Sequence, residues 1–436
     1  MNMYSWIGMI GIIVFTLLPF RKKEHRTKTE IRKAVLTVAI VLGIITAVLV
    51  FGLNYLLALL AGLLVFILID KKTYTKKRLL IYGSIILLLG TGGYTVLRDN
   101  PEYVMNHLKN NPETTSLYVA QNGEEVISYQ ADVVRPLAST VKILIATEYA
   151  MQIERGRLNK ESLVSLDDLN RHYFERTDGG AHEAWLESMT NEGKIKNNKV
   201  KLHDVAKGMI IYSSNANTDY MINLLGAPAI NERAKALGLT QHEKVYPIVS
   251  PLLIPSHIKT DGMNDKQLVQ ALRELPMETY RSLAKELNDE LKEGTLHFGD
   301  AAADLSMDVQ KVWSDRLIGA PANDYGKLMA TISNDELPSV ATEVLRDLLE
   351  WPMEVNESNQ DRFTHLGMKG GSTAFVLTQA LYAETLEGDK TEIVLLTDNL
   401  SSREVKLLQR NLNSFVSKLI GDEDFRHNVQ QSLLEK

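Results

Sequence analysis

Ser139 and Lys142 stand three residues apart in "RPLASTVKILIATEYA", at the entrance of a run whose other side chains are mostly apolar or small. Residues at that spacing share one helix face, so the ammonium points at the hydroxyl. A serine hydroxyl is a weak nucleophile until a neighbouring base takes its proton, and an amine can be that base. The same pair could also be a helix N-cap followed by a solvated first-turn charge. Spacing alone does not choose, because Ser256 with Lys259 and Ser282 with Lys285 repeat it. Order along the chain does. Only Ser139 is followed by a Ser-x-Asn triplet, Ser213-Ser214-Asn215, and then by Lys369, Gly370 and Gly371 immediately before a strand-like run. A further polar stretch, "TDGGAHEAW", carries His182 and Glu183. A zinc-protease helix would need histidine at 186, where Leu186 stands, so no metal or other cofactor is expected. That stretch reads either as a Gly-Gly turn or as a cleft-edge loop bringing His182 or Glu183 to a ligand.

These residues must be brought together by the elements around them. "TSLYVAQNGEEVISYQ" places two strand-like runs on either side of Asn122-Gly123, a strong hairpin signal. The Ser139 helix follows. From Leu158 to about Ile222 the pattern is mostly helical with loops, and amphipathic helices continue through "DKQLVQALREL", "YRSLAKELNDELKE" and "NDYGKLMATI". "TAFVLTQALYAET" and "TEIVLLTD" are strand-like again, and "SREVKLLQRNLNSFVSKLI" is a closing helix. Strands at both ends with helices between them predict an α+β domain whose sheet is assembled from its termini. Asp219, one turn beyond Asn215, is expected to brace the Ser213 loop.

Charge divides the chain. Residues 1–100 hold 13 Lys and Arg against 4 Asp and Glu, a balance of +9, which leaves −15 for the rest of a chain whose total is −6. An acidic outer part repels phosphates, which argues against nucleic acid as a partner. The basic part contains four apolar stretches, residues 3–20, 34–52, 53–69 and 79–97, each close to the ~20 residues that span a bilayer core. Basic flanks such as "RKKEHRTKTEIRK" and "DKKTYTKKR" favour the cytoplasmic side. The expected organisation is therefore a four-helix membrane region over 1–98, with the lipid bilayer as partner, and an extracytoplasmic domain over 99–436. The chain has no cysteine, so disulfides are excluded.

Ser139-x-x-Lys142, Ser213-x-Asn215 and Lys369-Gly-Gly371, in that order, resemble the three signature motifs of penicillin-recognising serine hydrolases, and their surroundings are most similar to class A β-lactamases. The resemblance covers roughly 114–420 and implies the β-lactamase/DD-peptidase fold: an antiparallel sheet packed by helices plus a helical subdomain, in which the hairpin pairs with strands around Phe375 and Val394 and the Ser139 helix lies buried beside the sheet. It implies Ser139 as nucleophile, Lys142 as its base, Ser213 as proton relay and Asn215 as a holder of the substrate amide. The backbone amides of Ser139 and Ser372 would form the oxyanion hole, and Lys369 with Ser372 or Thr373 would meet the substrate carboxylate. Gly371, like Gly370, would let the strand backbone approach the ligand. The separations between motifs are longer than usual for class A, which implies inserted helices after Asn215.

One class A feature is missing. The family's Glu-x-x-Leu-Asn motif, whose glutamate activates the deacylating water, does not occur downstream of Asn215. Its approximate place is taken by "VYPIVSPLLIPSHI", which has no carboxylate. The expected function is a membrane-tethered serine hydrolase of class A β-lactamase type, forming an acyl-enzyme on Ser139 with β-lactams or with D-alanyl groups of peptidoglycan or teichoic acid. A penicillin-binding DD-carboxypeptidase or D-alanyl esterase is the alternative, and a non-enzymatic β-lactam sensor ranks last.

Overall fold

The computed structural model describes residues 99–434 apart from 176 and 300–303; the four expected membrane segments lie outside the described residues. Among the described residues no helix is long and apolar enough to cross a membrane. The residues from Asp99 onward form one compact unit.

Helix α1 (Pro101–Asn110) leads into strands β1 (Thr115–Gln121) and β2 (Glu124–Tyr129). Asn122 and Gly123 both take positive φ, 51° and 82°, as a tight hairpin turn requires. Helix α2 (Lys142–Glu154) follows a 3₁₀ turn over Ala138–Val141. The helical part then runs through α3 (Ala181–Asn191), α4 (Asn215–Leu225), α5 (Ala227–Ala236), α6 (Asp265–Glu274), α7 (Met277–Glu293), α8 (Met307–Asp315), α9 (Ala322–Ser333) and α10 (Ser339–Leu349). Strands β3 (Phe363–Ser372), β4 (Leu377–Thr385) and β5 (Lys390–Thr397) complete the sheet before α11 (Ser402–Gly421) and α12 (Glu423–Leu434). All neighbours in the main sheet are antiparallel, in the order β2-β1-β5-β4-β3. This is the α+β, β-lactamase/penicillin-binding-protein-like arrangement.

Two expectations need correction here. Lys369, Gly370 and Gly371 do not precede a strand; they lie inside β3, which the sequence pattern hides because "HLGMKGGS" is poor in the β-branched residues that favour strands. Phe375 sits in the turn between β3 and β4 rather than in a strand, where its carbonyl accepts from Leu400 N. The hairpin does pair with the strand containing Val394, through β1 against β5.

The sheet is buried on both faces, and the two-residue alternation of a strand sorts its side chains. Ile393, Leu395 and Leu381 join Leu117, Val119 and the terminal helices α1, α11 and α12 in one apolar cluster. Val394, Leu396, Ala380 and Tyr382 join a second cluster with α2, α9, α10 and the helical subdomain. Helix α2 is enclosed almost throughout: Ile143, Leu144, Ile145, Ala146 and Tyr149 are fully buried, and so is Lys142. A lysine inside such a helix needs polar partners, and those partners define the site.

Candidate active site

The turn before α2 is fixed from below. Arg135 is buried and uses all five guanidinium N–H groups: Nε to Ser116 Oγ (2.7 Å), Nη1 to Glu113 O (2.8 Å) and Asp398 Oδ2 (2.9 Å), Nη2 to Pro112 O (3.2 Å) and Thr115 O (3.0 Å). Thr378 Oγ1 on β4 bonds Leu137 O at 2.8 Å and Thr140 Oγ1 at 2.7 Å. Ala138, immediately before Ser139, is held at φ 46°, a conformation non-glycine residues rarely adopt. The Ser139 turn is thus pinned to the sheet by polar contacts on both sides.

Strand β3 is one of the two edges of the sheet and runs past this turn. A Cβ at Gly371 would stand 2.5 Å from Ser139 N, 2.6 Å from Thr378 Oγ1 and 2.9 Å from Leu137 O, so only glycine lets the strand come this close. Thr373 N–H turns inward to Val376 O. Backbone N–H groups alternate along a strand, so Ser372 N–H turns to the open edge, on the side of Ser139 N. Gly371→Ala is expected to lower the rate of Ser139 acylation by roughly a hundredfold or more, the scale of effect when one backbone donor of such a pair is displaced. Stopped-flow labelling measures it, and an unchanged rate would show that the approach is dispensable.

Ser213 ends a π-helical turn, Gly208–Tyr212, and is itself left-handed at φ 69°. Such turns occur mainly where a side chain must be aimed, and here they bring Ser213 between two lysines. Lys142 Nζ donates to Ser213 O (2.6 Å), Ser213 Oγ (3.2 Å) and Asn215 Oδ1 (2.9 Å). Lys369 Nζ donates to Ser213 Oγ (3.0 Å) and Gly370 O (2.9 Å). Lys142, Ser213, Asn215 and Lys369 therefore form one connected group drawn from α2, a π turn, α4 and β3. Ser139 is half-buried at its mouth.

The expected hydroxyl–ammonium contact is not formed: among the described residues no hydrogen bond joins Ser139 Oγ to Lys142 Nζ. The ammonium has three N–H groups, and its three bonds to Ser213 and Asn215 use them all. Loss of one proton would free a lone pair. Two forces favour that loss. Burial pushes the Lys142 ammonium well below the ordinary lysine range, and the positive charge of Lys369 pushes the same way, while Asp178 and Asp219 oppose it. Lys369 is pushed down to about 7 by burial.

The other expected residues divide. Thr373 Oγ1 is tied to Ser314 Oγ at 2.6 Å and accepts from Phe375 N, so it fastens the β3–β4 turn, whereas Ser372 is exposed at the end of β3. His182 is fully buried, with Nδ1 2.9 Å from Ser214 Oγ and Nε2 3.2 Å from Asn170 Oδ1. It braces the Ser213–Asn215 turn and has no face left for a ligand. Glu183 is exposed and bonded to the Tyr173 hydroxyl. The competing Ser-x-x-Lys pairs are occupied elsewhere: Ser256 and Lys259 both bond Asp304, and Lys285 pairs with Asp289. Among the described residues no His, Asp and Glu cluster could hold a metal ion.

Asp219 does not brace the Ser213 loop. Its carboxylate is fully buried and accepts Ile248 N (2.7 Å) and Val249 N (2.9 Å), so it anchors the "VYPIVSPLLIPSHI" segment. Burial pushes its pKa up to about 7 against those N–H groups and Lys142. Trp313 of α8 donates to Ile248 O (3.4 Å), and Ser250 Oγ to Ala284 O of α7 (2.7 Å), so the inserted helices close over the segment from outside. Asp219→Ala leaves two buried N–H groups without acceptors and is expected to destabilise the domain by about 2–5 kcal/mol, read as a fall in the denaturation midpoint. A change within error would show that water replaces the carboxylate.

The residues missed by sequence reasoning are Asp178, Ser214, Arg135 and Thr378. Ser214 had the signal of a helix N-cap, and it caps Asn217 N. Asp178, ahead of Gly179-Gly180, had the same signal.

In comparisons with solved structures, the chain is similar to a penicillin-G acyl-enzyme of a PBP-A mutant (15% identity, 73% of this chain and 95% of that one, TM-score 0.44). It is also similar to a class A β-lactamase from Bacteroides cellulosilyticus (14%, 78% and 100%, TM-score 0.44) and to a β-lactamase from Chitinophaga pinensis (13%, 73% and 99%, TM-score 0.44). No curated protein matches its sequence. The family model for the beta-lactamase enzyme family matches residues 101–350, from α1 through the Ser139 helix and the Ser213 turn to the end of α10. With more than half of its length matched, the chain belongs to the beta-lactamase enzyme family.

Proposed function

We propose that the chain is a serine hydrolase that forms an acyl-enzyme on Ser139, with D-alanyl groups of the cell envelope as turnover substrates and penicillins as acylating ligands. The observation that carries this reading is the position of Ser213 Oγ, within 3.2 Å of Lys142 Nζ and 3.0 Å of Lys369 Nζ, beside a turn whose Ser139 N abuts β3 at Gly371. Lys142, once neutral, takes the Ser139 proton. Ser139 Oγ attacks the carbonyl carbon, whose oxygen is received by Ser139 N–H and Ser372 N–H. Ser213, between the two amines, passes a proton to the departing nitrogen. Asn215 holds the substrate amide, and the Lys369 ammonium with the Ser372 hydroxyl meets its carboxylate.

A peptidase-like role is favoured over a β-lactamase of class A type by one specific feature: the segment anchored by Asp219 is apolar where a water-activating glutamate would be needed. The four apolar stretches and basic flanks of residues 1–98 support a membrane tether with the domain outside the cell. Intact-mass spectrometry after exposure to benzylpenicillin and to D-alanyl-D-alanine peptides tests the reading. Adduct on Ser139 is expected from penicillin, with release of D-alanine from the peptide; neither product would overturn it.

A further inference from the structure

The loop ahead of α3 places a carboxylate where two helices begin. Asp178 Oδ1 accepts Gly180 N (3.2 Å) and Ala181 N (3.1 Å); Oδ2 accepts His182 N (3.2 Å) and, across the chain, Asn215 N (3.4 Å). Gly179 and Gly180 have φ 70° and 88°, which folds the loop back onto its own aspartate. Asn215 is the first residue of α4, and its side chain is the one that receives Lys142 Nζ at 2.9 Å. One residue earlier, Ser214 is held by His182. The loop therefore clamps the Ser213–Asn215 turn at two adjacent points, one through a charge and one through a neutral ring.

We propose that Asp178 is a positioning residue for the Ser139 reaction: its carboxylate fixes Asn215 against Lys142 and places a negative charge on the solvent side of that group. This rests on the reading of Ser139 as nucleophile and Lys142 as its base. The charged groups facing Lys142 are Lys369 from β3, Asp219 from α4 and Asp178 from this loop. Asp219 is enclosed and committed to the Ile248–Val249 backbone. Asp178 is half-buried at the solvent side, so it is the acidic partner that a substitution can change without opening the core. Its two oxygens already accept four N–H groups, which leaves it poorly placed to take a proton from water. It acts through Lys142 and Asn215 and not on the substrate.

The sign follows from electrostatics. Removing a negative charge near an ammonium disfavours the charged form, so Lys142 loses its proton at lower pH. Two variants remove the charge and keep an oxygen that can accept the N–H groups. Asp178→Asn removes the charge at constant size, and Asp178→Ser removes it while keeping an oxygen of a preferred N-cap. In full-length protein carrying ¹³C at lysine Cε, with Lys142 assigned by its loss in Lys142→Arg, both variants are expected to lower the Lys142 titration midpoint by roughly half a pH unit or more. The acid limb of penicillin acylation moves down with it. Glu187→Gln, which removes an exposed charge on α3, leaves both in place. A Lys142 midpoint equal to wild type in either folded variant, or loss of the folded state in both, would reduce Asp178 to a brace of the scaffold and overturn the proposal. A wild-type chain that takes no penicillin on Ser139 would instead remove the Ser139 reading, while the Lys142 titration would still decide the role of Asp178.

Discussion

A fluorescent penicillin is expected to label the wild-type chain on Ser139 and to leave Ser139→Ala unlabelled. Lys142→Ala is expected to label more slowly by roughly a hundredfold or more, the usual cost of losing a general base. Ser256→Ala and Ser282→Ala are expected to behave as wild type, because Ser256 is bonded to Asp304 and Ser282 is exposed on α7. The contrast is sharp because the three serines share a motif and differ only in surroundings. Undiminished labelling of Ser139→Ala would show that a different hydroxyl reacts.

The pH dependence of this labelling carries the electrostatic half of the argument. Lys142 must be neutral to accept a proton, and its pKa is depressed by burial and then by Lys369, so the rate climbs with pH through a range below that of an ordinary lysine. Lys369 must be charged to meet a carboxylate, and its pKa falls to about 7 by burial. Binding therefore weakens as pH rises through that value. The product of the two is a bell-shaped profile for the second-order rate constant of acylation. An uncharged ester of the same penicillin does not need the second condition, so its falling limb is expected to disappear.

Much of this was legible in the residues. The order of Ser139, Lys142, Ser213, Asn215, Lys369 and Gly371 along the chain pointed to one pocket because three motifs had to meet for any of them to matter. The Asn122-Gly123 turn and the alternating runs located four of the five main strands. Strand β3 escaped because its outer edge is unpaired and its glycines suit close approach better than they suit strand propensity. The left-handed φ of Ser213 also escaped, since a π turn is a product of tertiary packing and leaves no periodic signature. Asp178 gave only a local capping signal and Arg135 none, because the partners that matter for the site, Asn215 N for the carboxylate and a set dominated by backbone carbonyls for the guanidinium, lie in segments distant along the chain, and backbone groups have no sequence. His182 misled in the opposite direction: a histidine in a Gly-rich loop looks available, yet here it is the buried prop of Ser214.

Release from the penicillin adduct is the last expected result, and it separates a β-lactamase from a penicillin-sensitive peptidase. The serine ester persists unless water is activated on the correct face. A release rate of about 10 per second corresponds to a barrier near 16 kcal/mol, whereas an adduct with a half-life of roughly half an hour corresponds to about 22 kcal/mol. A positioned general base contributes a factor of about 10² to 10⁴, or roughly 3–5 kcal/mol, so its presence or absence decides most of that gap. The carboxylates facing Lys142 are poor candidates for activating water, because Asp219 is fully buried under the apolar segment and Asp178 has its oxygens filled by N–H donors. Lys142 remains. It can activate water once a leaving group has diffused away, as a released D-alanine does, but a ring-opened penicillin stays attached and blocks that approach. The penicillin adduct is therefore expected to survive for roughly half an hour or more by intact-mass spectrometry, while a D-alanyl ester or peptide turns over without accumulating. Steady-state penicillin hydrolysis at about 10 per second or faster would overturn this, since it would require a water-activating base that the Ser139 site does not otherwise need.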